Sequence, residues 1–166
     1  MKSLLFHIVI FVLLTLTACS GNAERAGSYN DEIIGYQASI VTALDLLDSL
    51  LRDTNSTEDR LEYAYANLQS SAKHGILALD SIGPFQKDPS LQLAARDLFR
   101  DYEKMIDKDY KKLLEVKLLP EEQITNLIAD TTYSIQQRIY STSKISQSRF
   151  IGFQAEFGKK YHLELE

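Results

Sequence analysis

Few side chains in this sequence are equipped for covalent or metal chemistry. The 166 residues contain a single cysteine, Cys19, which closes the run Leu16-Thr17-Ala18-Cys19. A lone thiol has no partner for a disulfide, for Cys-x-x-Cys redox chemistry or for a cysteine-based zinc site. What it can do is act as a nucleophile and carry an added group. Di-iron bundles use Glu-x-x-His pairs, but Ser71 stands three residues before His74 and Lys159 three before His162. Haem would need Cys-x-x-Cys-His, or an axial pair such as His74 with Met105 projecting inward. A helical wheel turns His74 away from the stripe Leu68, Ala72 and Leu79, so it is expected in solvent, and His162 falls in the C-terminal tail. No nucleophile–His–acid arrangement forms from these residues, and the Gly-x-His-x-x-Glu pattern of imelysin-like iron-uptake proteins does not occur. The chain reads as a non-enzyme that needs no metal and no cofactor.

The sole cysteine makes sense in its setting. Lys2 precedes the apolar stretch Leu4 to Leu16, too short to span a bilayer but long enough for a signal-peptide core. A small residue before the cut and a cysteine just after it resemble the lipobox of bacterial lipoproteins, which implies Leu16, Thr17, Ala18 and Cys19 as the recognised run and Cys19 as the lipidated residue. One fatty chain holds a protein only marginally and two hold it stably, so a diacylglyceryl cysteine would anchor the chain to a membrane through its N-terminal acyl chains. Ser20, in place of an acidic residue, is compatible with the outer membrane. The mixed segment Ser20–Gly27, with one acid and one base, favours the periplasmic face over the cell surface. The expected organisation is a signal peptide over 1–18, a lipidated cysteine with a flexible tether over 19–27, and one domain over 28–166. Loss of Lys2 with the signal peptide takes the formal charge from −5 to −6. Nucleic acid is therefore no partner, because its binding relies on Lys and Arg neutralising phosphates.

Four helices are expected to form that domain. The first runs from about Tyr29 to Arg52, with Ile33, Tyr36, Ile40, Leu44, Leu47 and Leu51 at three- and four-residue spacing. Ser56 or Thr57 caps the second, from about Glu58 to Ile82, and Gly83-Pro84-Phe85 ends it. Asp88-Pro89 opens the third, which ends near Leu118. Its stripe Leu91, Ala95, Leu98, Tyr102, Met105 would continue onto Asp109 and Lys112 but resumes on Ile106, Tyr110 and Leu113, which requires a register shift. Pro120 opens the fourth, with Ile124, Leu127, Ile128, Ile135, Ile139, Ile145, Phe153 and Phe157 expected on its buried side and Gly158 as a C-cap. Short connections imply an all-α, antiparallel up-down-up-down four-helix bundle. Phe150, Phe153, Phe157 and Tyr161 are expected to plug one end beneath Phe85.

Several stretches carry a resemblance. Tyr29-Asn30-Asp31-Glu32-Ile33-Ile34, Ile82-Gly83-Pro84-Phe85, Leu98-Phe99 with Tyr102, and Phe153-Gln154-Ala155-Glu156-Phe157-Gly158-Lys159-Lys160-Tyr161 together resemble small helical surface lipoproteins of Bacteroidetes and Leptospira. The resemblance implies a helical fold and anchoring, and transfers no catalytic residue. Two functional readings follow from the residues. In one, the chain is a non-enzymatic envelope module, docking an envelope protein or cell-wall partner through the off-stripe Tyr63, Leu77, Tyr133, Tyr140 and Ile151. In the other, the polar middle of the fourth helix binds a small anion or carboxylate, with the guanidinium forks of Arg138 and Arg149 as ligands. Asp48-Ser49-Leu50, Asp80-Ser81-Ile82 and Asp130-Thr131-Thr132 match an O-glycosylation triplet but fall inside expected helices, which argues for coincidence.

Overall fold

The computed structural model describes the backbone of residues 2–163 and the side chains of residues 21–163. The chain forms helices α1 (Lys2–Arg52), α2 (Glu58–Ile82), α3 (Ser90–Met105), α4 (Lys111–Lys117) and α5 (Asn126–Tyr161); a π-helical segment, Ile106–Tyr110, joins α3 to α4. No strand is present among the described residues, and the fold is an all-α bundle. The side chains of Leu16, Thr17, Ala18 and Cys19 lie outside the described residues, so the lipobox geometry is not on view.

Residues 21–27 do not form the expected flexible tether. They continue α1, with Ala26 fully buried, Gly27 beside Leu163, and the Asn22 side chain bonded to Gln86. The reason is local and tertiary together. Ala23, Glu24, Arg25 and Ala26 are strong helix formers, and burying Ala26 adds packing that offsets Gly21 and Gly27. Residues 21–52 are long and apolar enough to cross a membrane by length and composition alone; 28% of the apolar window is buried in the bundle, and Ile33, Ile40 and Leu47 are each 0% exposed.

The second helix has the bounds its sequence implies, with Thr57 extended at the N-cap and Gly83 at φ 65° closing it, a left-handed value that suits glycine. Its small residues let α1 and α3 approach. A Cβ on Gly75 would stand 3.2 Å from Ile40 on one side and Phe99 on the other. The core is built from Ile33, Ile40 and Leu47 of α1, Leu61, Leu68 and Leu79 of α2, and Leu91, Leu98, Phe99 and Tyr102 of α3. Between α2 and the α3–π rod the pairings run in opposite numerical order. Gln92 donates to the Leu79 carbonyl (2.6 Å), while further down Tyr65 donates to the Ile106 carbonyl (3.3 Å).

The expected register shift in the third helix has a concrete origin. The π turn at Ile106–Tyr110 inserts one residue into the helical repeat, which brings Ile106 and Tyr110 into the core and buries Asp109 beside them.

The last helix departs from expectation at both ends and in its phase. Pro120 precedes a 3₁₀ turn, Glu121–Gln123, and α5 starts only at Asn126, because the extended Thr125 is the better cap: its Oγ1 accepts from the Ile128 amide (3.3 Å). Gly158 is no C-cap. It is buried inside the helix, and the end comes at the left-handed His162 (φ 59°), with the Leu163 amide donating to the Gly158 carbonyl (2.8 Å). The buried stripe is Ile135, Ser146, Phe150, Phe157 and Tyr161. Ile124, Leu127, Ile145 and Phe153, expected in the core, are 42%, 75%, 59% and 39% exposed. Ile124 falls before α5, Leu127 and Ile145, 18 residues apart, share the outward phase of the helix, and Phe153 lies at the edge of the buried stripe.

Candidate functional site

Between residues 121 and 134 only Ile128 and Thr132 are partly covered. The start of α5 thus stands away from its neighbours, and a cleft of about 900 Å³ opens between it, α1 and α4. On α1, Val41, Leu44, Asp45, Asp48, Leu51 and Arg52 recur at three- and four-residue spacing and form one wall. Tyr110, Leu113 and Val116 make the floor. The facing wall is α5 from Thr132 to Ile151, where Ser143 and Ser148 are too small to fill the space and Ile139, Tyr140 and Ile151 supply apolar surface. The polar middle of this helix, read from the sequence as a binding feature, is therefore the wall of a cavity.

The polar groups of the cleft differ in depth. Tyr110 is buried, and burial, reinforced by the nearby Asp48 carboxylate, pushes its hydroxyl well above the usual phenol range. Burial also raises the Asp48 carboxyl, partly offset by hydrogen bonding from Tyr110 and by Arg52. Lys117 is engaged, its Nζ donating to the Asp53 carbonyl (2.9 Å) just past the end of α1. Deeper in the bundle, Gln147 donates to the Tyr102 hydroxyl (3.0 Å). Among the described residues, Asp45, Asp48, Arg52 and Lys144 take part in no ion pair.

The two arginines singled out in the sequence are not brought together. Arg138 lies outside the cleft and pairs with the buried Asp109, its Nε and Nη2 at 3.1 and 2.5 Å from the same Oδ1. That carboxylate raises the arginine further. Arg149 is exposed and three turns away, about 16 Å along the helix. A shared anion site is not assembled, and Arg138 instead satisfies an acid that the π turn has buried. Sequence reasoning missed Asp48, Tyr110 and Arg52, although Asp45, Asp48 and Arg52 share a face with Val41 and Leu44 on any helical wheel.

The remaining candidates are scattered. Tyr63, Leu77, Tyr133, Tyr140 and Ile151 are exposed as expected, at 72%, 67%, 63%, 65% and 59%. They do not form one patch: Tyr140 and Ile151 line the cleft, whereas Tyr63 lies in a shallow hollow with Leu46 and Leu50 between α1 and α2. His74 is exposed, edge-on to Tyr36 at 6.2 Å. At the aromatic end, Phe85 contacts Tyr29 (5.3 Å), Phe157 (5.6 Å) and Tyr161 (4.9 Å), which makes it the expected plug of the core. The Tyr29 hydroxyl donates to the Gly83 carbonyl (2.7 Å), and burial pushes its pKa up to about 12. No cluster of His, Cys, Asp and Glu suited to a metal ion occurs among the described residues.

Set against known proteins, the chain matches no family model, no curated protein and no solved structure. The resemblance of its motifs to helical surface lipoproteins gains no support from these comparisons.

Proposed function

We propose that this chain is a lipid-anchored binding module of a bacterial cell envelope, held by acyl chains on Cys19 at the periplasmic face of the outer membrane, and that it takes a small ligand into the α1–α4–α5 cleft without performing chemistry on it. The anchoring rests on the Leu16-Thr17-Ala18-Cys19 run behind an apolar segment of signal-peptide length. The binding role rests on one observation, the cleft itself. Its volume of about 900 Å³ is within the range of small-molecule sites, and an apolar floor with a few convergent polar groups is the composition such sites have. Docking of a protein or cell-wall partner on an outer face is the weaker reading, since the exposed aromatics it relies on are spread over separate surfaces.

Two measurements test the proposal. Metabolic labelling with a fatty acid should mark the wild-type chain and leave Cys19→Ser unlabelled; label retained in the variant refutes the anchor. Native mass spectrometry of the protein released from its own envelope should show a bound small molecule, and Ile139→Trp, which fills the cleft, should remove it. A wild-type protein that always emerges empty, or an adduct indifferent to Ile139→Trp, refutes the site.

A further inference from the structure

The charges lining the cleft are of both signs. Asp45 and Asp48 project from the α1 wall, Arg52 lies one turn beyond Asp48, and Lys144 faces them from α5. None of the four is in an ion pair among the described residues, although Arg52 stands close enough to Asp48 to act on its carboxyl. A purely anionic ligand would meet the two carboxylates, and a purely cationic one would meet Arg52 and Lys144. We infer that the cleft selects a zwitterion on an apolar body, its amine set against Asp45 and Asp48 and its acid group against Arg52. The inference deepens the binding reading given above and rests on it.

The spacing defines the class further. Asp48 and Asp45 lie four and seven residues before Arg52, about 6 and 10 Å along the helix axis. An amine and an acid group separated by that span describe an ω-amino acid or a short peptide, with methylene or side-chain carbon packed on Leu113 and Val116 of the floor. Tyr110 and Tyr140 add aromatic surface to the same cleft. The chain's own acyl groups do not compete for the cleft. Cys19 precedes Val41 by 22 residues, about 33 Å of α1, more than the half-thickness of about 15 Å that an acyl chain fills in a bilayer.

The test uses the full chain in phosphatidylcholine vesicles and equilibrium dialysis against four probes of one length: 8-aminooctanoate, octylamine, octanoate and 1-octanol, with empty vesicles as blank. The zwitterion should bind at least tenfold more tightly than any of the others. Asp48→Asn should bring it down to the level of octanoate without weakening octanoate, and Arg52→Gln should bring it down to the level of octylamine without weakening octylamine. Asp45→Asn serves as a second change on the acidic wall, with thermal melts verifying that each variant folds. An 8-aminooctanoate affinity no better than that of octylamine or octanoate overturns the inference. If all four probes then bind alike and Ile139→Trp blocks them, the cleft still stands as a site and only the charge selection fails. If no probe binds, or binding ignores Ile139→Trp, the cleft reading falls as well.

Discussion

At the scale of single residues, Asp88 carries much of the aromatic end of the bundle. Its Oδ1 accepts from the Ser90 amide (3.0 Å) at the start of α3, and its Oδ2 accepts from Lys160 (2.6 Å) near the end of α5. Lys160 first, then the Ser90 amide, hold its carboxyl down at about 2. A carboxyl depressed in the folded state contributes stability that is present above the unfolded pKa of about 4 and lost as pH falls from there towards 2. Asp88→Asn should therefore melt below wild type at pH 7, and most of the gap should close as pH falls from about 4 through about 2; a gap at pH 2 as wide as that at pH 7 would mean the carboxylate's charge is not the source. Nearby, burial separates residues that look equivalent in the sequence. Phe85 and Phe157 are 6% and 2% exposed against 39% for Phe153. Phe85→Ala or Phe157→Ala should cost about 3–5 kcal/mol in denaturant unfolding, whereas Phe153→Ala should cost no more than about 1 kcal/mol.

At the scale of elements, the π turn between α3 and α4 is a one-residue insertion that keeps both flanking helices in phase with the core. Deleting the exposed Lys108 should let the rod close into regular α-helix, with Leu98 and Leu113 still facing inward, at a stability change below about 2 kcal/mol. Deleting the equally exposed Arg100 should rotate everything after it by about 100° and abolish cooperative unfolding. Circular dichroism melts of the two deletions distinguish an accommodating bulge from an ordinary helix, for which both deletions would be equally damaging. The α1–α2–α3 contact makes the complementary point about space. With Ile40 and Phe99 each 3.2 Å from a Cβ position on Gly75, Gly75→Leu should destabilise by about 1–3 kcal/mol or more despite the better helix propensity of leucine.

At the scale of the whole molecule, the continuation of α1 through residues 21–27 bears on the proposed anchor. With Ala26 buried and Asn22 bonded to Gln86, a lipid on Cys19 would hold the bundle against the membrane with almost no slack. A chain beginning at residue 28 loses those contacts and should melt roughly 4 °C below one beginning at residue 20. Equal melting temperatures would return the segment to the role of a loose tether.

The sequence by itself determined the parts of this fold that depend on near neighbours along the chain. The bounds of α2 and the opening of α3 at Ser90, just after Asp88-Pro89, follow from prolines, glycines and helical period, all of which act within a few residues, although neither Ser56 nor Thr57 makes the expected side-chain cap bond. Even the register shift was visible as a break in the stripe, since Asp109 falls where an apolar residue belongs. Tertiary structure decided the phase of α5. That helix carries apolar residues in two phases, Leu127 and Ile145 in one and Ile135, Phe150 and Phe157 in the other, with Phe153 at the edge of the second, and only packing against α3 selects the second. Contact geometry likewise turned Arg138 from a candidate ligand into the partner of Asp109. The cleft is the clearest case, because a cavity is a place where a neighbour is missing, and nothing local in the order of residues records which faces the packed helices leave apart.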